Sequence, residues 1–300
     1  MEQNWRARFA GVFTELITPF KGGRLDLSAL ERHIERLLDL GVHGVAPAGA
    51  MGEGATLTDL ETSEIIRVAV AGAKGRALVL APADSNDTAK AVDKAMRGAD
   101  VGADALLVAT PHYNRPSQDG LFEHFAAVAS AVRLPVILND IHDHAGAKLA
   151  PETAARLAAH YANIVGIKQT GKDVKRVTEL RRRCGDDFVI HCGDDSLALA
   201  FYALGADGQI SAASNLMPRA LLQLYAAWRQ GDVEQALKLH ERMFEPVSTL
   251  LIEPTPVAMK VALASSGLVN DEVRLPLTPL SNALQSTLLR CLDHHAEMVG

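Results

Sequence analysis

The alternation of short β-branched runs with longer amphipathic segments is the feature that most restricts the fold of this chain. Eight runs have the length and the Val, Ile and Leu content of buried strands, and helical periodicity fills the stretches between them. Eight such units predict an α/β fold, a TIM (β/α)8 barrel, with a doubly wound open sheet as the alternative. The predicted strands are 12–18, 42–46, 77–81, 105–109, 135–138, 164–168, 188–191 and 208–211.

The predicted helices continue beyond the eighth unit. Four extra helix-like segments exceed what a barrel needs and predict a C-terminal α-helical extension. We therefore expect residues 1–217 to form the barrel up to strand eight and its loop. Residues 218–300 should form the last barrel helix and a helical bundle packed on the barrel as one structural unit. The predicted helices are 28–40, 58–73, 88–100, 118–132, 151–160, 174–183, 196–204, 218–229, 233–244, 256–265 and 280–295.

Charge and composition exclude several kinds of partner. The 300 residues carry a net charge of -6, whereas a nucleic-acid or anionic-membrane partner requires a basic face. No apolar stretch is long enough to span a bilayer. We expect a small-molecule substrate, no nucleic acid and no membrane. The N-terminal segment lacks the apolar core of a signal peptide, and the three cysteines show neither a disulfide framework nor metal-ligand spacing, which predicts a cytoplasmic location.

Lys168 is the first candidate catalytic residue, because it ends an apolar run that begins at Asn163 and reads as a buried strand. An ammonium group in a poorly solvated site is destabilised relative to the neutral amine, which can attack a carbonyl carbon and form a Schiff base. The alternative is a lysine that extends past the strand end into water.

Further candidates lie where predicted strands end, because the active sites of TIM barrels are built from the loops at that end. Strand two is followed by a loop of small residues, 47–57, whose backbone amides can approach a carboxylate closely. Polar loops also follow strand four, at 110–117, and strand five, at 139–146. The sequence therefore predicts a site for a small carboxylate-bearing substrate at this end of the barrel.

Seven short motifs occur in order along the chain: Thr18-Pro19-Phe20, Gly49-x-x-Gly52-Glu53, Pro111-x-Tyr113-Asn114-x-Pro116, Gly166-Ile167-Lys168, Gly193-Asp194-Asp195, Gly205-Ala206-Asp207-Gly208 and Arg274-Leu275-Pro276-Leu277. In these motifs the chain resembles, over nearly its whole length, the dihydrodipicolinate synthase and N-acetylneuraminate lyase family of class I Schiff-base lyases. The resemblance implies a TIM barrel with a C-terminal helical bundle, assembled as a homotetramer that is a dimer of dimers. It also implies a covalent imine on the motif lysine, with no metal and no other cofactor.

The chain departs from the family pattern at several site positions. Ala50 and Met51 stand where the family has two hydroxyl residues that bind the carboxylate of a 2-oxo acid, and Asn139 stands where it has a proton-shuttling tyrosine. His144 matches an arginine that recognises the second substrate. Tyr113 resembles a tyrosine that supports the proton relay across a dimer interface, or is an ordinary interface aromatic. The resemblance implies a substrate-binding set of Gly49, Ala50, Met51, Gly52, Asn139, Gln209 and Ile210.

Glu15 is the candidate that replaces the missing tyrosine. It interrupts an apolar strand, and alternation places it on one face with Phe13 and Ile17, the face assigned to the barrel interior. A buried carboxylate suits general acid or base catalysis. The alternative is a structural ion pair with Lys168. His144 is interpreted as a second proton-transfer or carboxylate-binding group.

These observations predict a Schiff-base lyase that acts on a 2-oxo acid such as pyruvate, by aldol cleavage, aldol condensation or dehydration, with an atypical proton relay. Two alternatives stay open. The chain can be a catalytically silent 2-oxo acid binder that has lost the relay. It can also be a metal-dependent lyase that uses His142 and His144 with Asp140 and Asp143 as neighbouring ligands.

Overall fold

Eight parallel strands close into a barrel in the computed structural model, which describes residues 4–141 and 145–299. The barrel strands are β1 (Gly11–Glu15), β4 (Gly44–Ala46), β5 (Leu78–Pro82), β6 (Ala105–Ala109), β7 (Val136–Asp140), β8 (Ile164–Gln169), β9 (Val189–Cys192) and β10 (Gly208–Ser211). They follow one another in the order β1-β10-β9-β8-β7-β6-β5-β4. The predicted TIM barrel is therefore confirmed, and the doubly wound sheet is excluded.

Helices occupy the stretches between and after the strands, as the helical periodicity predicted. The long segments begin and end within a few residues of their predicted limits. They are α1 (Trp5–Phe9), α2 (Leu27–Asp39), α3 (Asp59–Ala73), α4 (Thr88–Asp100), α5 (Gln118–Ala131), α6 (Pro151–His160), α7 (Lys175–Cys184), α8 (Ala198–Ala203), α9 (Pro218–Arg229), α10 (Val233–Thr249), α11 (Val257–Ser265) and α12 (Asn282–His294).

Several local features differ from the sequence-based expectation. The first strand ends at Glu15 rather than at Thr18, and α1 was not predicted. Helix α10 continues past its predicted end at Phe244 to Thr249, although a proline at position 246 usually ends a helix. Pro246 is buried within the helix, and the Thr249 hydroxyl donates to the carbonyl of Glu245. The predicted helix 196–204 divides into a 3-10 turn, Asp195–Leu197, and α8. A short antiparallel pair, β2 (Phe20–Lys21) and β3 (Arg24–Leu25), was not predicted, since each strand has only two residues.

Contacts within the chain group it into two compact units. One comprises Met1–Gly11 with Leu78–Ile210, and the other comprises Val12–Ala77 with Ser211–Gly300. The expected boundary at residue 217, between the barrel and the C-terminal extension, is a different kind of division and stays a prediction. Among the described helices, none has both the length and the apolar character needed to cross a membrane.

Asn215 holds the end of β1 in place. Its Oδ1 accepts the backbone N–H of Ile17, and its Nδ2 donates to the carbonyl of Glu15. The Nε2 of His33, a buried residue of α2, lies 3.1 Å from the same Oδ1 and acts as the donor. Burial lowers the pKa of His33 to about 4, so the imidazole is neutral at pH 7. This arrangement fixes the backbone that carries Glu15.

Asp207 and Arg181 join α7 to strands β9 and β10. Asp207 is buried, and it accepts Arg6 through Oδ1 and both Arg181 and the N–H of Ile190 through Oδ2. Arg181 also donates to backbone carbonyls, including that of Phe188 at 2.6 Å. The arginine run that ends α7 therefore contains a structural residue, although a solvated helix end is the usual interpretation of such a run.

Replacement of His33 should change how stability depends on pH. The folded pKa of about 4 lies below the unfolded value of 6.5, so the unfolded state binds more protons below pH 6.5. Stability is therefore lost as the pH falls from 6.5 towards 4, and by pH 5 the loss from this residue is about 2 kcal/mol. In urea unfolding, His33→Gln should lose about 2 kcal/mol less than the unmodified protein between pH 7 and pH 5.

The control for this experiment is His160→Gln, which changes an exposed imidazole. It should follow the pH dependence of the unmodified protein. If His33→Gln also follows it, the neutral buried state of His33 is wrong.

Candidate active site

Lys168 lies near the end of β8, the sixth strand of the barrel, and its residue surface is only 3% exposed. In the parallel register its neighbours are Asn139 on β7 and His191 on β9. Its side chain passes over Gly193, where an added Cβ would lie 2.9 Å from the Lys168 Cε. The absence of a side chain at Gly193 therefore leaves room for the lysine, and the lysine does not extend into water.

The neighbour His191 adds no positive charge beside the lysine. Its Nε2 lies 2.7 Å from the carbonyl of Phe9 and donates to it. Burial, with a smaller contribution from the Lys168 charge, lowers the pKa of His191 to about 4, although the hydrogen bond to Phe9 and the charge of Asp207 oppose the change. The imidazole is therefore neutral at pH 7 and serves as a structural donor.

Three buried polar atoms near Lys168 lack a hydrogen-bond partner among the described residues. They are the Oγ1 of Thr110, the Oδ1 of Asn139 and the Oγ1 of Thr170. The backbone N–H of Thr110 donates to the carbonyl of Asn139, and the Thr170 hydroxyl lies beside the Cβ position of Gly193. An unsatisfied buried polar atom costs about 1–3 kcal/mol, so such atoms in one region indicate a place where a ligand or water binds.

Gln209 is held by its neighbours in the structure. Its Oε1 accepts the hydroxyl of Tyr202, and its Nε2 donates to Asp195 at 2.9 Å. The residue is 1% exposed, as is Ile210. These contacts give the Gln209 amide a structural function, and the substrate-binding roles of Gln209 and Ile210 stay predictions.

The loop after β4 is folded so tightly that it requires its glycines. A Cβ on Gly52 would lie 2.8 Å from the Cα of Ala48, which has a positive φ of 54°. The amides of Gly52 and Glu53 donate within the loop, to Gly49 and Ala50. Of the hydrogen bonds described for residues 47–57, none uses the amides of the pair expected to bind a carboxylate, Ala50 and Met51.

Glu15 lies against the same loop. It is 6% exposed, and its Oε1 is 3.0 Å from the position that a Cβ on Gly49 would take. In the β1–β4 register Glu15 pairs with Ala46, the last residue of the strand that precedes the loop. A carboxylate thus lies at the start of the loop whose amides are expected to bind the substrate carboxylate.

A buried ion pair between Lys260 and Glu53 anchors the loop that follows β4. The Nζ of Lys260, on α11, lies 2.5 Å from the Oε1 of Glu53, and both side chains are essentially fully buried. The Glu53 Oε2 accepts the backbone N–H of Arg274, and Lys260 and Arg274 lie at 4.1 Å and 4.3 Å from the centroid of the Phe20 ring. Three motifs that are far apart in the sequence, those of Phe20, Glu53 and Arg274, therefore meet in one network.

Sequence analysis missed Lys260, although a signal was present. The residue interrupts the apolar stretch Val257–Leu263, in which all the other residues are buried hydrophobics. The argument that singled out Lys168 applies equally to this lysine. Sequence analysis also missed Arg176. The partners of its guanidinium group, Gln169 and Asp140, become its neighbours only in the folded barrel.

The remaining predicted residues are placed as follows. Tyr113 is 88% exposed and has a positive φ of 70°. Asp140, the expected metal-ligand neighbour, is fully buried and pairs with Arg176 at 2.9 Å, while its other oxygen accepts the N–H of Leu149. That carboxylate is therefore engaged in an ion pair, and the metal interpretation of this loop stays an untested alternative. His142, Asp143 and His144 lie outside the described residues.

Comparisons with known proteins agree with this architecture. The model of the dihydrodipicolinate synthetase family matches residues 8–295. A 4-hydroxy-tetrahydrodipicolinate synthase of Bartonella bacilliformis is 40% identical over 285 residues, which cover 95% of this chain and 97% of the relative. The structure of the 4-hydroxy-tetrahydrodipicolinate synthase from Methylacidiphilum fumariolicum SolV has a TM-score of 0.95 at 38% identity and covers 97% of both chains. A dihydrodipicolinate synthase from Acinetobacter baumannii, complexed with pyruvate, has a TM-score of 0.92 at 34% identity over 96% of this chain and 99% of that one.

A closed (β/α)8 barrel with a buried lysine near the end of its sixth strand is typical of lyases of the class I aldolase type. The matched residues and identities above make the assignment more specific. The chain belongs to the dihydrodipicolinate synthetase family.

Removal of the Lys260 charge should destabilise the protein strongly. Lys260→Met leaves the Glu53 carboxylate buried without its cation, which costs about 3–5 kcal/mol in comparable buried pairs. Adding Glu53→Gln to this variant should recover part of the loss, because the unpaired charge is then removed. Equilibrium denaturation in urea measures both changes.

The matched control is Lys238→Met, which breaks an exposed pair with Glu234 whose side chains are 61% and 80% exposed. Its cost should stay below about 1 kcal/mol. Equal costs for the two lysine variants would contradict a supporting role for the buried pair.

Proposed function

We propose that this chain is a Schiff-base lyase that binds a 2-oxo acid, pyruvate in the first instance, as an imine on Lys168. The observation that carries the proposal is the burial of the Lys168 side chain beside three polar atoms that lack partners among the described residues. The relatives named as synthases and the related structure complexed with pyruvate support the same substrate class. The covalent imine requires no other cofactor.

The chemistry follows from the imine. The neutral amine of Lys168 attacks the keto carbon, and the loss of water with the uptake of one proton gives a protonated imine. This cation withdraws electrons from the neighbouring carbon, which loses a proton and becomes an enamine. The enamine then attacks a second carbonyl compound in a condensation. Water finally hydrolyses the imine of the condensation product, which releases the product and regenerates the amine of Lys168. The reverse sequence of steps is an aldol cleavage.

The proposed carboxylate site uses backbone rather than hydroxyl donors. With Ala50 and Met51 in place of two hydroxyl residues, the loop can offer the amides of these two residues, which lie outside its own described hydrogen bonds. The loop has room for this backbone conformation because positions 49 and 52 are glycines, where an added Cβ would lie 3.0 Å from the Glu15 Oε1 and 2.8 Å from the Ala48 Cα. Because two donors are lost relative to the family pattern, we expect weaker binding of the substrate carboxylate.

We further propose that Glu15 carries out the proton transfer that a tyrosine performs elsewhere in the family. Asn139 stands in the position of that tyrosine, and an amide is no general acid or base near neutral pH. Glu15 is a buried carboxylate whose backbone is fixed by Asn215. His144 is proposed as its partner in proton transfer. The reaction with the second substrate should consequently differ from that of the synthases.

The two alternatives make different predictions. A silent binder would hold a 2-oxo acid without turnover, and the loss of the tyrosine at Asn139 is the observation in its favour. A metal-dependent lyase would need ligands from the strand-five loop. The Arg176 ion pair of Asp140 counts against that alternative, since it engages one of the expected neighbours.

We also propose that the protein is a homotetramer built from tight dimers. The support is an aromatic side chain, Tyr113, that is 88% exposed on a loop with positive φ at Tyr113 and Arg115. An exposed aromatic at a strained loop suits a contact with a second subunit. Sedimentation of a monomer at micromolar concentration would contradict this assembly. The cytoplasmic location expected from the sequence stays a prediction.

Borohydride reduction in the presence of pyruvate tests the imine. The unmodified protein should gain the mass of one reduced adduct per chain, which peptide mapping should locate on Lys168. Lys168→Ala should abolish the adduct, whereas Lys175→Ala, at a lysine whose side chain is 74% exposed, should leave it unchanged. An adduct on another lysine, or none with any 2-oxo acid tested, would refute the proposal.

Two substitutions distinguish an enzyme in which Glu15 transfers the proton from a silent binder that has lost proton transfer. Glu15→Gln keeps the shape of the side chain but cannot ionise, so turnover should fall by about 10²–10⁴-fold while imine trapping persists. Asn139→Tyr should restore little, since the added ring must fit a site that has been packed around an amide. A harmless Glu15→Gln together with new synthase activity in Asn139→Tyr would instead favour the silent binder.

A further inference from the structure

Three side chains with metal-binding atoms meet between helices α10 and α12. They are Glu245 on α10, Cys291 in the last turn of α12, and His295, whose backbone N–H continues the helical hydrogen bonding to the carbonyl of Cys291. One carboxylate oxygen, the thiol sulfur and one imidazole nitrogen all lie within 4.8 Å of one another. Within residues 4–141 and 145–299, no other three His, Cys, Asp or Glu side chains are grouped in this way.

The spacing explains why these groups face the same space. Cys291 and His295 are four residues apart, so their side chains lie on one face of the helix. Glu245 and Thr249 have the same spacing on α10. The His295 Nε2 lies 3.1 Å from the Glu245 Oε2, and the Thr249 Oγ1, whose hydrogen is donated to the carbonyl of Glu245, lies 3.3 Å from the Cys291 sulfur. The two helices are thus already joined by paired contacts at both positions.

The donor set has the chemistry of a zinc-class ion. Zn²⁺ binds thiolate, imidazole and carboxylate at distances of about 2.0–2.3 Å in a tetrahedral arrangement. Ligand atoms in such a tetrahedron are therefore separated by about 3.3–3.8 Å. The three atoms lie within 4.8 Å of one another, so no separation exceeds that of the tetrahedron by much more than about an ångström. Rotation of the long Glu245 side chain and of the Cys291 thiol can supply this difference.

The cluster is also open to an entering ion. The Glu245 side chain is 68% exposed and that of His295 is 15% exposed, so a cation can reach the nitrogen and the carboxylate from solvent. Three protein ligands leave a fourth position for water. A bare ion pair between Glu245 and His295 would satisfy two of these groups, but it gives no role to a thiol on the same helix face.

The other two cysteines are in different surroundings. Burial raises the pKa of the Cys184 thiol to about 11, and burial also raises the pKa of Cys192, whose thiol donates to the carbonyl of Asp194. Thiolate is the form that binds metal. These two residues therefore serve as thiol controls within the same protein.

We propose that Glu245, Cys291 and His295 form a binding site for one zinc-class divalent cation, which links α10 to α12 and stabilises the C-terminal extension. The cation replaces the hydrogen bond between Glu245 and His295. It also binds the Cys291 sulfur in place of the Thr249 hydroxyl. The released proton from the thiol goes to solvent.

The test uses Co²⁺ as a spectroscopic probe on the full-length protein stripped of metal with a chelator. The unmodified protein should bind one Co²⁺ per chain and show an intense sulfur-to-cobalt charge-transfer band. Zn²⁺ should displace the cobalt and abolish the band. Cys291→Ala should remove the band, and His295→Ala and Glu245→Gln should each weaken cobalt binding by tenfold or more.

Two variants are matched controls. Cys184→Ala removes a different thiol, and His294→Ala removes the adjacent imidazole, whose ring centroid lies 4.9 Å from that of His295. Both should bind Co²⁺ as the unmodified protein does. Zn²⁺ should raise the Tm of the unmodified protein and of both controls, and it should not raise that of His295→Ala.

Three results would overturn the proposal. The first is the absence of a sulfur-to-cobalt band in the unmodified protein. The second is a band that survives Cys291→Ala or disappears in Cys184→Ala. The third is a Zn²⁺-dependent rise in Tm that persists in His295→Ala, since the ion would then be bound elsewhere.

Discussion

The parallel register of β7, β8 and β9 is the constraint on which the lysine site depends. It places Lys168 between Asn139 and His191 and brings its side chain over Gly193. Strands of a barrel cannot move relative to one another without breaking the hydrogen bonds of both neighbours. The register thus keeps an amino group in a buried position, beside a neutral imidazole and an amide.

The loop that is expected to bind the substrate carboxylate depends on a second buried charge. Lys260 and Glu53 form an ion pair beneath the loop, and Arg274 and Phe20 complete the network. Burial of two charges is costly unless each is paired and hydrogen-bonded, so removal of either Lys260 or Glu53 alone should destabilise the network. The C-terminal extension therefore contributes directly to the conformation of a loop that lies early in the sequence.

Much of the fold could be predicted because its elements are local. Strand 105–109 and helix 151–160 carry their own pattern of apolar residues and end at turn residues, and both appear with the predicted limits. Lys168 could be predicted because a charge in an apolar strand is a local anomaly. The Lys260 network could not, since its partners are separated by more than two hundred positions. The Glu245, Cys291 and His295 cluster was missed because Glu245 comes from a different helix, 50 positions before His295, although the four-residue spacing of Cys291 and His295 was visible.

The crystal structure of the protein soaked with pyruvate, without borohydride, tests the central claim most directly. The account predicts continuous electron density from the Nζ of Lys168 to the keto carbon. It also predicts hydrogen bonds from the bound molecule or an ordered water to Thr110, Asn139 or Thr170, the residues whose polar atoms lack partners. Pyruvate bound without a covalent bond to Lys168, or bound covalently to a different lysine, would contradict it.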